Sequence, residues 1–489
     1  MASDTESPPP KLELVFIPFL ASGHMIPMVD MARLFASHGV AVTIITTTHN
    51  SLIFKNAIDR DIKSGKPIKL HVLPFPFAEV GLPEGLEKMN SVTSQGQKQK
   101  LYQATMLLKK PIQQMLLDHI PDCIVSDMFY PWTVDFAAEL GIPRIVFQGS
   151  SYFALCAQYS MRHYAPCENV TSDMELFVVP GLPDRVELTR LQVPDHDRTK
   201  NELTAILDVI REAELRSFGV LMNSFYELEP SYVNHFRNVI GIKTWNIGPV
   251  SLCLSTNDKY ERGHNSVVDP HECLSWLDSM KPNSVLYVSF GSQHKFPPPQ
   301  LYEIATALEA SNHPFIWVIH NEETIDGGDE AWLPNGFKSR VNGMIIRGWA
   351  PQVLILEHVA IGGFMTHCGW NSILESVTAG VPLIAWPLYA EQFYNEKLVT
   401  QVAKIGVGVG AEKWLNLLED DGKVVVKKKK IEKAVIRLMD GGDEAKEIRE
   451  RTKELGRKAM KVVEVGGSSY NDLISLIGEL VLLRESRIN

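Results

Sequence analysis

The sequence predicts an α/β protein of two tandem domains, each a parallel sheet covered by helices. Three observations carry this reading. At 489 residues the chain is too long for one ordinary hydrophobic core. Short apolar, β-branched runs alternate with segments of helical spacing along most of it, which is the pattern of linked βαβ units. Between Ser251 and Pro270 the alternation gives way to Ser, Thr, Asn, Asp and Gly and then restarts, as an inter-domain linker would. The expected organisation is a disordered leader over 1–10, a first domain over 11–250, a linker over 251–270, a second domain over 271–468 and a C-terminal helix over 469–489.

The elements follow in order. Leu12 to Pro18 reads as a strand, Ile26 to Ser37 as a helix and Val40 to Thr46 as a second, β-branched strand. Lys69 to Pro74, the helical stretch Leu101 to Leu117, the strand Cys123 to Ser126, the helix Trp132 to Leu140 and the strand Arg144 to Phe147 continue the series. Val220 to Asn223 and Thr244 to Ile247 close the first half. After the linker come the strands Ser284 to Phe290, Phe315 to Ile319 and Met344 to Arg347, with a helix at Gln300 to Ala310 and an acidic loop at Asn321 to Asp329. The strand Leu383 to Trp386, the helix Gln392 to Ala403, the strand Gly406 to Val409 and helices from Lys430 complete the chain. In open parallel sheets ligands bind beyond the carboxyl ends of the strands, so the turns after each strand are where function is sought.

Composition removes several classes. A formal net charge of −10 argues against a nucleic-acid partner, which needs clustered Lys and Arg. Lys427 to Lys430 reads as a solvated helix start. The amino terminus has acids and prolines where a signal peptide would be basic and then apolar, and no window is long and apolar enough to span a membrane. A cytoplasmic monomer is expected. The six cysteines form no C-x-x-C pair, so neither zinc nor a disulfide framework is indicated, and no metal is expected.

Two turns carry chemistry. In the second domain Thr366-His367-Cys368-Gly369-Trp370-Asn371-Ser372 joins a buried strand to a helix, so unpaired N–H groups and the positive end of the helix dipole favour a phosphate. Glu375, three residues after Ser372, shares its face and can accept hydrogen bonds from ribose hydroxyls, which together suggest a nucleotide. In the first domain Leu20-Ala21-Ser22-Gly23-His24 puts a histidine at the start of a helix. There the imidazolium is disfavoured, so His24 is expected to be neutral and able to accept a proton. Asp127 directly follows another strand of the same sheet and is placed to orient His24 as a dyad. Gly406-Val407-Gly408-Val409-Gly410-Ala411 has the spacing of a dinucleotide-binding loop but follows a helical stretch, so strand packing is the expected role of its glycines.

The 44 positions from Trp349 to Gln392, with WAPQ at the start, HCGWNS at the centre, Glu375 and AEQ at the end, resemble the donor-binding signature of plant secondary-product UDP-glycosyltransferases. The resemblance extends to the GH turn, SDMFYPW and VLYVSFGS, and so covers nearly the whole chain. It implies the GT-B fold: two facing Rossmann-like domains, with a last helix over 469–489 packing back on the first. It further implies that Trp349 stacks on uracil, with Ala350 and Gln352 completing base and ribose recognition. By the same resemblance Glu375 holds the ribose; His367, Asn371, Ser372 and Ser292 contact the diphosphate; and Trp370, Glu391 and Gln392 face the sugar. A terminal Gln in the signature resembles glucose-using members, so UDP-glucose is the expected co-substrate, with no tightly bound cofactor. The implied reaction is a metal-independent, inverting displacement with His24 and Asp127 as base and orienter.

The acceptor is expected to be small and lipophilic, because the loops after the first domain's strands are apolar and aromatic. Ser22, Gly23, Phe129, Gln148, Phe153 and Leu203 are the positions expected to meet it. DMARLFASHG, IITTTHN, PGLPD and AEQFYNEK resemble the branch that glucosylates triterpenoid sapogenins and flavonoids, which gives a triterpenoid as first expectation and a flavonoid or other phenolic as second. An NAD(P)-dependent oxidoreductase, motivated by the glycines near 406, and a non-catalytic nucleotide-sugar binder are the competing readings.

Overall fold

The computed structural model describes residues 11–263, 269–319, 332–416 and 423–488. The expected leader over 1–10, the acidic loop Asn321 to Asp329 and part of the linker lie outside them. Strands β1 (Glu13–Ile17), β2 (Ala41–Thr47), β3 (Ile68–Leu73), β4 (Cys123–Asp127) and β5 (Arg144–Gln148) are followed by a small antiparallel hairpin, β6 (Leu176–Val178) and β7 (Glu187–Thr189). Then come β8 (Gly219–Met222) and β9 (Thr244–Asn246). Apart from the hairpin these form one parallel sheet in the order β3-β2-β1-β4-β5-β8-β9. The second domain contains β10 (Val285–Ser289), β11 (Phe315–Ile319), β12 (Gly343–Arg347), β13 (Ile361–Thr366), β14 (Leu383–Ala385) and β15 (Gly406–Gly408). These also run parallel, in the order β12-β11-β10-β13-β14-β15.

Both sheets are covered on both faces, which is why central strands such as β4, β10 and β13 are buried along their whole length rather than alternating. In β1, Leu14 and Phe16 pack with Phe35 and Trp245 on one side, while Val15 and Ile17 pack with Leu101 and Tyr130 on the other. In β10, Leu286 and Val288 face Leu308 and Trp317, whereas Val285 and Tyr287 join a second cluster. That second cluster runs on into the first domain through Phe153 and Tyr232, so the two domains share buried apolar contact.

The linker is more ordered than its composition predicts. Ser255 and Asp258 form a reciprocal capping box at the start of a helix, Thr256–Glu261. Asp258 then accepts hydrogen bonds from Arg33 and Arg60 of the first domain. The S-x-x-D signature was present in a stretch whose polarity reads as irregular. The helix Ser468–Ile488 lies against the first domain: Leu473, Leu476 and Leu480 are buried among Leu14 and Phe35, and Asp472 accepts from the Asn246 backbone at 2.8 Å. Gly406 is in a strand, and a methyl group there would collide with the Leu383 carbonyl of β14. The glycine serves close strand approach, and no dinucleotide loop exists at that position.

Candidate active site

In each sheet the strand order reverses direction beside the first strand, at β1/β4 and β10/β13, and at such switch points the following loops diverge and leave a crevice. Ile17 is in register with Ser126, and Ser289 with Thr366. Two pairs of turns therefore face each other. One holds His24 and Asp127, and the other holds Ser292 and His367. Between them is a cavity of about 260 Å³.

The His24 Nδ1 lies 2.8 Å from Asp127 Oδ2. Asp127 is fully buried while 24% of the His24 side chain is exposed, so the pair presents only the imidazole to the cleft. A carboxylate at Nδ1 selects the tautomer with the proton there and leaves Nε2 as an acceptor. The second carboxylate oxygen of Asp127 accepts the Phe129 N–H at 3.0 Å. Phe19 and Phe129 pack beside the imidazole, and Gly149 lies over it: a β-carbon there would sit 3.2 Å from Cε1. The expectation that the cation is disfavoured at His24 meets an opposing influence in the structure. Burial pulls its pKa down, but the charge and hydrogen bond of Asp127, with Glu391 adding to them, outweigh burial and raise it above the ordinary value.

Across the cleft, Gly369 caps the helix Trp370–Thr378, and Cys368 before it takes a positive φ of 66°. The His367 ring is wedged between Gly291 and Gly369; a β-carbon on either would approach its Nε2 to 2.5 Å. Gln352 donates to Ser372 Oγ at 3.2 Å and to Glu375 Oε2 at 2.8 Å, tying the turn after β12 to the helix. Burial raises the Glu391 carboxyl, against its own backbone N–H, the charge of His24 and the Asn395 amide. The Gln392 oxygen accepts the N–H groups of Leu388 and Tyr389, both at 3.0 Å, which fixes its orientation. Ser22, Gly23, His24, Ser292, Trp349, Ala350, Gln352, His367, Trp370, Asn371, Ser372, Glu375, Glu391 and Gln392 all line the cavity.

Two of these residues also hold the domains together. The indole N–H of Trp370 donates to the Asn223 carbonyl at 2.8 Å, and the Asn371 amide donates to the Gly23 carbonyl at 2.7 Å. The second bond has a local cause. Pro27 lies four residues on from Gly23 inside the helix Ser22–Ser37 and has no N–H, so the Gly23 carbonyl lacks its helical donor and is open to a partner.

Three acceptor positions fall elsewhere. Phe153 is fully buried and packs edge-on against Tyr232, because the Glu229 carboxylate draws in the N–H groups of Tyr152 and Phe153 and turns the helix into the core. Gln148 is buried with its amide on Glu214. Leu203 is exposed on the helix Glu202–Leu215. Sequence reasoning missed Asn90, which bonds the Ser22 N–H and the Ser292 hydroxyl and so bridges the cleft. It also missed Arg262, whose guanidinium bonds Glu375 and Asp30. Neither sits in a motif or at a strand end. Among the described residues no group of His, Cys, Asp and Glu is arranged to hold a metal, and no helix is long and apolar enough to cross a membrane.

Residues 23–439 match the profile of the family described as UDP-glucoronosyl and UDP-glucosyl transferase. UDP-glucosyl transferase 73CC6 of Saponaria officinalis is 50% identical over 98% of each chain. UDP-glucose flavonoid 3-O-glucosyltransferase 7 of Fragaria ananassa is likewise 50% identical over 98% of each. Among solved structures, Glycyrrhiza uralensis UGT73P12 complexed with glycyrrhetinic acid 3-O-monoglucuronide superposes with a TM-score of 0.93, at 48% identity and 98% coverage of both chains. The facing turns thus belong to a GT-B enzyme that uses a UDP-sugar, and the chain is a member of the plant family 1 UDP-glycosyltransferases, in their UGT73 branch.

Proposed function

We propose that this UDP-glycosyltransferase is an inverting, metal-independent O-glucosyltransferase that moves glucose from UDP-glucose to a hydroxyl of a triterpenoid sapogenin or saponin. The observation that carries the mechanism is the buried Asp127 behind an imidazole whose Nε2 is open to the cleft, opposite the helix start at Gly369. Nε2 takes the proton of the acceptor hydroxyl as its oxygen attacks the anomeric carbon, and the bond from that carbon to the phosphate oxygen breaks. UDP leaves on the opposite face, and a β-glucoside results. His367, Asn371, Ser372 and Ser292 receive the developing charge on the diphosphate with N–H and O–H donors. Holding the reactants in line supplies a further contribution of several kcal/mol, roughly 7–11 at most.

Trp349 is assigned to the uracil, with Ala350 and Gln352, and Glu375 to the ribose hydroxyls. Trp370, Glu391 and Gln392 are assigned to the sugar. Because the Gln392 oxygen is occupied by two backbone N–H groups, its NH₂ is what remains to read a sugar hydroxyl. The ligand named with the Glycyrrhiza structure supports a triterpenoid acceptor. The flavonoid 3-O-glucosyltransferase of Fragaria keeps a flavonoid as the second reading.

The test is an acceptor panel of triterpenoids and flavonoids, each offered UDP-glucose, UDP-galactose and UDP-glucuronic acid, with products read by mass spectrometry. Glucosides of triterpenoids formed fastest are the expected outcome. Faster flavonoid products, or preference for another sugar, would replace the acceptor or donor assignment.

A further inference from the structure

Around Glu375 stands an arrangement whose other charged members lie outside the stretch Trp349 to Gln392. Arg262, at the end of the linker helix, reaches into the cleft and lines it beside Trp349, Gln352 and Glu375. Its Nη1 bonds Glu375 Oε1, and its Nε lies 3.0 Å from Asp30 Oδ2 on the helix that begins with Ser22 and His24. Asp30 and Glu375 are buried, with 7% and 6% exposed, and Arg262 nearly so at 12%. The backbone takes part as well. The Trp349 indole N–H donates to the Arg262 carbonyl at 3.0 Å, and Gly263, with a φ of 88°, lies so close to the indole that a β-carbon would overlap its six-membered ring.

A carboxylate with one oxygen on Arg262 and the other on Gln352 is held in one orientation with its charge compensated. An ionised carboxylate has about four acceptor sites, so two bonds leave room for two ribose hydroxyls. Asp30 completes the arrangement by holding the guanidinium from the other side. Burial raises the Asp30 carboxyl, with Arg262 and Arg33 acting against it.

We infer that the Arg262–Gly263 strap is part of the donor site: Arg262 is a positioning residue that aims the ribose acid Glu375 and, through its carbonyl, the base-stacking ring of Trp349. This deepens the proposed function and rests on its assignment of Glu375 and Trp349 to the nucleoside. It also makes the inter-domain linker a component of nucleotide recognition, joined through Asp30 to the helix that carries the base.

The test uses the full chain and compares UDP with 2′,3′-dideoxy-UDP, which lacks the hydroxyls that Glu375 would hold. For Arg262→Gln, the KM for the UDP-sugar and the inhibition constant for UDP are expected to rise about tenfold, the size of one lost hydrogen bond to a charged group, with kcat nearly unchanged. Inhibition by dideoxy-UDP should be far less affected, and Arg262→Lys should recover part of the UDP affinity. Gly263→Ala, which displaces the indole, should weaken both nucleotides equally. Equal loss of UDP and dideoxy-UDP in Arg262→Gln, or a fall in melting temperature with unchanged KM, would overturn the inference and leave Arg262 a tether between domains. Failure of the unaltered enzyme to favour UDP over dideoxy-UDP would instead remove the ribose assignment itself.

Discussion

At His24 two influences oppose each other, and under the proposed mechanism their balance sets the working pH. Burial favours the neutral ring, while Asp127 and Glu391 favour the cation and prevail. A raised pKa costs activity on the acid side, because a protonated imidazole cannot accept the acceptor's proton. Glu391→Gln removes one of the two raising charges, so the His24 pKa should fall and the acid limb of kcat/KM should move to lower pH; a pH-rate profile reads this directly. Asp127→Asn removes the larger charge and also the acceptor that fixes the Nδ1–H tautomer. It should lower kcat by about 10²–10⁴, the range found for removing general-base function, while UDP binding by calorimetry stays near that of the unaltered enzyme. The pairing was legible in the sequence because Asp127 stands at the end of one apolar strand and His24 at the start of the helix that follows another. The balance of the pKa shift was not, since it depends on how deeply the ring is buried against how close Asp127 lies, with Glu391 adding from the other domain.

At the scale of elements, the strands of the two parallel sheets followed from periodicity, the helices Thr48–Lys63 and Tyr152–Tyr164 and the β6/β7 hairpin went unread, and elsewhere polarity concealed order. The linker helix is the clearest case: a capping box and two arginine partners for Asp258 stabilise a segment whose composition resembles a loop. The opposite case is Gly406, whose spacing imitates a phosphate-binding loop while the residue lies in a strand against β14. Gly406→Ala should force the two strands apart and cost about 1–3 kcal/mol, as overpacking does, in urea unfolding, without changing the KM for the donor. Ser22–Ser37 shows how an element can be read and its purpose missed. Pro27 is visible in the sequence, but the use of the carbonyl it leaves open requires knowing that Asn371 arrives there.

At the scale of the molecule, the domains share buried apolar contact, and the bonds that cross between them include Trp370 to Asn223, Asn371 to Gly23, Asn90 to Ser292, and Ser151 to Asn395 at 2.8 Å. Trp370→Phe keeps an aromatic ring, smaller than the indole, but leaves the Asn223 carbonyl without its indole donor. The expected loss is about 1–3 kcal/mol of stability, measured by denaturant unfolding, with a lowered kcat/KM as the facing turns lose their fixed separation. By itself the sequence determined the two parallel α/β units and the residues at the strand ends. Periodicity and capping are local properties, and in parallel sheets the strand end is where side chains are free to act. Only the tertiary structure decided that Phe153 belongs to the core, that Arg262 and Asp30 stand behind Glu375, and that a carbonyl in the first domain is completed by an amide in the second. Those are contacts between residues tens to hundreds of positions apart, and they are set by how the two sheets pack, which no local pattern records.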